Sequence, residues 1–95
     1  MNIVIKKRAQ NTLEKVAAWL AAQYFLDTGL KWLDEFNAAM LQLAGAKVKH
    51  AVCRNQMLAK YHYRCFTYKG KWIVAYKIDS STLTIYRFVY GARLK

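Results

Sequence analysis

Two His-x-x-Cys spacings are the sharpest candidates for metal chemistry in this chain: His50 with Cys53, and His62 with Cys65. Imidazole nitrogens and thiolates are ligands that zinc prefers, and four of them can complete a tetrahedral site. If residues 61–68 form a strand, however, His62 and Cys65 point to opposite faces and cannot bind one metal ion without a bulge. The same geometry argues against a Cys nucleophile with a His base. We therefore expect no metal site, and we interpret both cysteines as reduced thiols.

Basic side chains in the second half of the chain offer chemistry of another kind. Residues 46–95 carry eleven Lys and Arg against one acidic residue, Asp79, whereas residues 1–45 carry five against four. Such a polarised charge attracts polyanions or an acidic partner protein. Cationic side chains can also hold a scissile phosphate while another group activates the 2′-hydroxyl, so a ribonuclease needs neither histidine nor a carboxylate pair. The candidate set is Arg64, Lys71, Lys77, Arg87 and Arg93.

Each of these cations, taken alone, is also explained as a solvated surface charge, so the hypothesis of a binding site depends on the five cations as a group.

Composition limits the remaining possibilities. With 95 residues, 56% of them hydrophobic, the chain should form one folded domain with one core. No segment approaches the roughly 20 apolar residues that a membrane-spanning helix needs, and the N-terminus does not have the charge order of a secretory signal. We expect a cytoplasmic protein that uses no cofactor.

The spacing of apolar residues predicts the elements of the first half. Residues 2–5 are a β-branched run, which must pair with a strand from the other end of the chain. Apolar residues then recur at three and four positions, which predicts a helix over residues 11–25 with Asn11 at its N-terminus. A second helix is predicted over residues 27–45, with Asp27 and Thr28 as candidate caps. The short connection favours an antiparallel helix hairpin lying against a sheet.

In the second half the period falls to two from residue 61 onward. Turns are indicated at Lys69-Gly70 and at Asp79-Ser80-Ser81. These turns predict an antiparallel meander whose strands cover residues 61–68, 71–78 and 83–90. Residues 46–60 could form a fourth strand or a basic loop. The order of elements is that of an α+β two-layer domain.

The middle strand of the meander should divide its side chains between two faces. The face that we expect to pack against the helices consists of Trp72, Val74, Tyr76 and Ile78. The opposite face consists of Lys71, Ile73, Ala75 and Lys77. The neighbouring strand adds Arg64 to this second face if its alternate residues also point outward. We thus predict an open, basic and aromatic face suited to phosphates and unpaired bases, although any single ring there could equally complete the core.

This layout and several short motifs resemble the RelE/ParE superfamily, the toxin subunits of bacterial type II toxin–antitoxin systems, often labelled plasmid stabilisation proteins. The resemblance covers nearly the whole chain. It includes a first strand running into a helix near Lys7-Arg8-Ala9, the paired helices, and the segment KWIVAYKI at residues 71–78. The Tyr90-Gly91-Ala92-Arg93 close is similar to the His-Gly-Ala-Arg or Gly-x-Arg close common in this group.

The superfamily contains two activities: RelE-like members cut messenger RNA in the ribosome, and ParE-like members poison DNA gyrase through protein contacts. Ribonuclease members tend to carry an arginine where this chain has Ile73, and a tyrosine in a segment beyond the Arg93 position. The Gly-Ala-Arg close is more similar to the ParE side. The resemblance therefore implies a ParE-like toxin. A RelE-like ribonuclease, using Arg64 and Arg93, is the alternative, and a non-toxic nucleic-acid-binding module is the third hypothesis.

Such a toxin is expected to be neutralised by a cognate antitoxin with an acidic segment that folds as it binds. Basic residues would steer that segment towards the toxin, while the apolar and aromatic residues between them would supply affinity. The candidate set of five cations is thus the hypothesised surface for the target or for the antitoxin.

Overall fold

Two helices pack against one face of a four-stranded mixed sheet in the computed structural model, which describes residues 2–45, 53–54, 56–79 and 81–91. The predicted α+β class is confirmed. The elements in chain order are β1 (Asn2–Ile5), α1 (Lys7–Gln23), α2 (Leu26–Gly45), α3 (Gln56–Ala59), β2 (Arg64–Tyr68), β3 (Trp72–Asp79) and β4 (Thr82–Tyr90).

The sheet has the strand order β1-β4-β3-β2. Strands β2, β3 and β4 pair antiparallel, as the predicted meander requires. Strand β1 pairs with β4, which confirms that the first strand finds its partner at the other end of the chain. This pairing is parallel, so the sheet is mixed and not purely antiparallel.

Both helices begin earlier than predicted. Helix α1 starts at Lys7, and Asn11 lies inside it, so Asn11 is not the cap. The backbone explains this start, because the Lys6 N–H donates to the Ile85 carbonyl at 2.8 Å and the chain turns directly from β1 into α1. Helix α2 starts at Leu26, which puts Asp27 in the first turn, where its charge favours the positive end of the helix dipole.

The main core lies between the helices and the sheet. Leu13, Phe36 and Met40 of the helices are at most 1% exposed, and they pack against Val74 and Tyr76 of β3. Rings from both layers contribute: Trp72 stacks on Phe88 with centroids 4.6 Å apart, and Phe36 meets Phe88 edge-on at 5.1 Å. The predicted helix-facing side of the middle strand is therefore confirmed.

The opposite face of the sheet, which we call the outer face, is not open at its centre. Ala75 is fully buried there beneath Cys53 and Leu58. Cys53 and Cys65 form a disulfide, so the prediction of two reduced thiols is wrong. The described part of residues 46–60 contains the short helix α3, and the rest of that range lies outside the described residues.

None of the helices in the described ranges is long and apolar enough to cross a lipid bilayer.

Candidate binding face

Three tyrosine rings are stacked on the outer face of the sheet. Tyr63 occupies the centre, with its centroid 4.8 Å from that of Tyr86 and the two planes inclined by 19°. On its other side, Tyr61 lies at 5.3 Å with an inclination of 24°. Tyr61 is 49% exposed, so one end of this tyrosine stack reaches the solvent. We call these three rings the tyrosine stack.

Local backbone features explain why these rings meet. In the β3–β4 ladder Ala75 pairs with Arg87 while Tyr76 pairs with Ile85, so Tyr86 is the extra residue of a β-bulge. A bulge redirects a side chain and often occurs where a sheet presents a site. The other two rings come from the turn after α3, in which His62 has a positive φ of 61°.

Lysines from three separate parts of the chain surround the tyrosine stack. Lys77 of β3 holds its ammonium 5.3 Å from the Tyr63 centroid and 5.8 Å from the Tyr86 centroid. Lys6, at the junction of β1 and α1, lies 5.9 Å from Tyr86, and Lys60 lies 5.0 Å from Tyr61. A cation over an exposed ring contributes about 0.5 to 1 kcal/mol.

Arg87 and Arg8 add two further charges beside the stack. Burial of the Arg87 guanidinium and repulsion from Arg8 lower the pKa of Arg87, and the nearby phenols of Tyr63 and Tyr61 oppose that shift. Arginine keeps its charge over the whole physiological pH range, so the guanidinium groups of Arg8 and Arg87 repel each other. An anion bound between them would relieve the repulsion. The five surrounding cations, which we call the cationic rim, are Lys6, Arg8, Lys60, Lys77 and Arg87.

The structure brings together two of the five cations predicted as a binding set. Lys77 and Arg87 both lie beside the tyrosine stack. Lys71 directly precedes β3, six positions before Lys77 and therefore about 20 Å from it along the strand. There it borders a surface pocket of about 280 Å³, and its carbonyl accepts a hydrogen bond from the Gly91 N–H at 2.7 Å. Arg93 lies outside the described residues.

Arg64 does not share the face of Lys77. In the β2–β3 ladder Arg64 pairs with Tyr76, while Phe66 pairs with Val74. Paired residues of an antiparallel ladder point to the same side, and Tyr76 and Val74 belong to the core beneath the helices. The prediction that Arg64 joins the outer face required these alternate residues of β2 to point outward, and they do not. The residues of β2 on the outer face are Cys65 and Thr67.

The structure also bears on the zinc site that the two His-x-x-Cys spacings suggested. The sulfur atoms of Cys53 and Cys65 are bonded to each other, so in this form neither is available as a thiolate ligand. His62 lies in a turn and not in a strand, which means that the parity argument for its direction does not apply. His50 lies outside the described residues. In the described part of the chain, no three His, Cys, Asp or Glu side chains form a group that could hold a metal ion.

The arrangement can bind an extended anion that also carries flat or apolar groups. Cations would contact its charges, and the end of the tyrosine stack offers a surface for a base or an apolar side chain. Sequence reasoning did not identify the three tyrosines, nor Lys6, Arg8 and Lys60. Lys6 and Arg8 could have been identified from the sequence, because pairing of the first strand with the last brings the basic cluster after residue 5 close to β4. The bulge at Tyr86 had no such signal.

A comparison with models of known protein families finds no family that matches this chain. A comparison with curated proteins likewise finds no matching relative.

Proposed function

We propose that this chain is the toxin component of a bacterial type II toxin–antitoxin system. It is of the ParE-like kind, which inhibits growth by acting on DNA gyrase and is neutralised by a cognate antitoxin. The single observation that carries the proposal is the joint presence of the tyrosine stack and the cationic rim on one face. The element order and the Gly91-Ala92-Arg93 close support it through the resemblance.

An acidic antitoxin segment is the partner that this face fits. The five cations of the rim come from separate parts of the chain, so a bound segment would have to cross the outer face to reach them all. Electrostatic attraction would speed the encounter, and the stacked rings would supply apolar contact area. An antitoxin segment that folds on binding offers the charges and the apolar side chains that such a face needs.

Action through protein contacts is favoured over catalysis by the groups that surround the stack. The three rings contact one another and the surrounding cations, and Tyr63 also packs against the apolar cluster of Cys53, Leu58 and Ala75. These groups attract and hold anions.

RNA cleavage is the second candidate, and the solvent-exposed end of the tyrosine stack favours it. Parallel rings flanked by cations suit the unpaired bases and phosphates of a single-stranded RNA. In this alternative the ribonuclease residues implied by the resemblance, Arg64 and Arg93, would have to act with the outer face. The position of Arg64 on the opposite side of the sheet weighs against that cooperation.

Induced expression of the chain in a bacterial host separates these possibilities. Growth, the integrity of bulk transcripts and the DNA-damage response are measured in the same cultures. The proposal predicts arrest with intact transcripts and an active DNA-damage response. Arrest with cleaved transcripts would favour the ribonuclease. No arrest at a normal level of soluble protein, either in untreated cells or in cells exposed to a thiol oxidant, would contradict both and leave a nucleic-acid-binding module. Lys15→Gln, an equal loss of charge on the exposed surface of α1, serves as the control for variants of the rim.

A further inference from the structure

We propose that the disulfide between Cys53 and Cys65 is a redox latch that assembles the tyrosine stack. The oxidised chain presents the complete stack, whereas reduction releases Tyr61 and Tyr63 from Tyr86. This inference concerns the regulation of the face described above, and it rests on the proposed function for its biological role.

The disulfide fixes the segment that carries two of the three rings. Cys65 lies in β2 opposite Ala75, and Cys53 is 12 positions earlier in the chain. The intervening loop contains α3 and both Tyr61 and Tyr63. A second tie is formed between the backbones, because the Cys53 N–H donates to the Tyr63 carbonyl at 2.8 Å.

Among the described residues of this loop, few other side chains are buried. Helix α3 has four residues, and a helix of that length is not stable without tertiary contacts. Its described anchor is Leu58, which is 1% exposed and packs with Cys53 and Ala75. His62 holds a positive φ, which is an uncommon conformation for a residue with a Cβ. Opening the disulfide restores the conformational freedom of the loop, and the rings must then be held in place without this covalent tie.

Position in the sheet makes the disulfide reachable. Strand β2 is at the edge of the sheet, and Cys65 is partly exposed while Cys53 is 3% exposed. A thiolate of a reducing dithiol attacks the Cys65 sulfur, which breaks the bond to Cys53 and forms a mixed disulfide. The second thiol of the dithiol resolves it. Two electrons and two protons pass to the protein, which leaves two cysteine thiols and an oxidised dithiol.

Disulfides in a reducing cytosol are usually transient, and they then report on redox state. If the chain resides there, the reduced form predominates in unstressed cells. The reverse exchange with glutathione disulfide would close the latch under oxidative conditions. The face would then be complete when the cell is oxidised.

Affinity for a labelled polyanion tests the latch apart from toxicity. The probe is a fluorescein-labelled oligouridine of 12 nucleotides, and its anisotropy is followed with the full chain before and after treatment with dithiothreitol. We expect reduction to weaken binding about tenfold, the loss of roughly one stacked ring. Amide hydrogen exchange measured in parallel should accelerate at Tyr61, His62 and Cys53, while the amides of β3 stay protected.

The Cys53→Ser/Cys65→Ser variant is the matched control. It should bind the probe like the reduced chain and should not respond to dithiothreitol. Equal affinity before and after reduction, or unchanged exchange in residues 53–63, would overturn the latch. Loss of protection throughout β3 on reduction would also overturn it, because the disulfide would then support the whole fold. A redox-dependent affinity without growth arrest in cells exposed to a thiol oxidant would contradict the toxin and keep the latch, whereas arrest with a redox-independent affinity would do the opposite.

Discussion

The ring of Tyr63 lies nearly parallel to that of Tyr86, with centroids 4.8 Å apart, although Tyr63 adjoins β2 and Tyr86 lies on β4, two strands away in the strand order. Tyr63 directly precedes the edge strand β2, and Tyr86 sits at the bulge of β4, beside the central strand β3. Their contact therefore crosses β3, above Ala75 and beside Lys77. It joins the loop after α3 to the sheet and forms the middle of the candidate binding face.

Replacing Tyr63 by Leu removes the central ring and separates Tyr61 from Tyr86. We expect the affinity for the labelled oligouridine to fall about tenfold, because one stacked ring contributes roughly 1 to 3 kcal/mol. Tyr24→Leu is the control, since Tyr24 is an exposed tyrosine that meets Trp19 edge-on in the α1–α2 connection. Equal losses of affinity in the two variants would show that the tyrosine stack does not bind the oligouridine.

Replacing Lys77 by Gln should change the salt dependence of binding as well as its strength. Each phosphate contact to a single strand contributes about 0.7 to the slope of log affinity against log salt concentration. We expect the slope for Lys77→Gln to be shallower by about this amount, and the slope for Lys15→Gln to be unchanged. The measurement is a titration at four salt concentrations. A wild-type slope in Lys77→Gln would show that this ammonium does not meet the ligand.

Local patterns predicted most of the fold, whereas the candidate site depends on contacts between distant residues. The alternation from Trp72 to Ile78 correctly identified the helix-facing side, because the period of a strand is independent of its partners. The direction of Arg64 depends on the register of β2 against β3, which no local pattern specifies. The same limit applies to the disulfide and to the extra residue Tyr86, since both arise from pairing through space.

The early start of α1 has a similar cause. A strand pairing holds Lys6 in place through the Ile85 carbonyl, and this tertiary contact outweighs the capping preference of Asn11. The recurrence of apolar residues at three and four positions predicted that both helices exist, but it did not define their first turns. Helix ends are the positions at which such long-range contacts decide the outcome.

Gly29 should not tolerate a methyl group, because a Cβ there would clash with the Ala17 carbonyl oxygen of α1. Alanine favours a helix over glycine by about 1 kcal/mol, but crowding two packed helices typically costs about 1 to 3 kcal/mol. We expect Gly29→Ala to lower the free energy of unfolding, as measured by urea denaturation. Gly45→Ala is the matched control, since nothing lies within 4 Å of its added Cβ. A more stable Gly29→Ala would show that the helices can separate freely.

The ion pair between Lys69 and Glu35, with an N–O distance of 2.5 Å, predicts a pH dependence of stability. Its hydrogen bond and charge lower the pKa of Glu35 below 4.5 and raise that of Lys69 above 10.5. The lowered pKa of Glu35 stabilises the fold above pH 4.5, and this contribution disappears as the pH falls through the lowered value. The raised pKa of Lys69 contributes below pH 10.5 and is lost as the pH rises through the raised value.

Glu35→Gln should therefore be slightly less stable than wild type at pH 7 and indistinguishable from it near pH 2. The effect is small, because both side chains are exposed and solvent screens the pair. Urea denaturation at the two pH values measures it, with Asp34→Asn of the same helix as the control. A stability difference that persists unchanged at low pH would have to come from something other than this ion pair.

Inhibition of purified bacterial DNA gyrase tests the central claim most directly. The assay follows ATP-dependent supercoiling of a plasmid in the presence of wild type, of the Tyr63→Leu/Lys77→Gln variant, and of Lys15→Gln. We predict that wild type and Lys15→Gln block supercoiling and leave broken plasmid DNA, whereas the face variant loses this effect while remaining folded. Normal supercoiling in the presence of the oxidised wild-type chain would contradict the proposed action on gyrase.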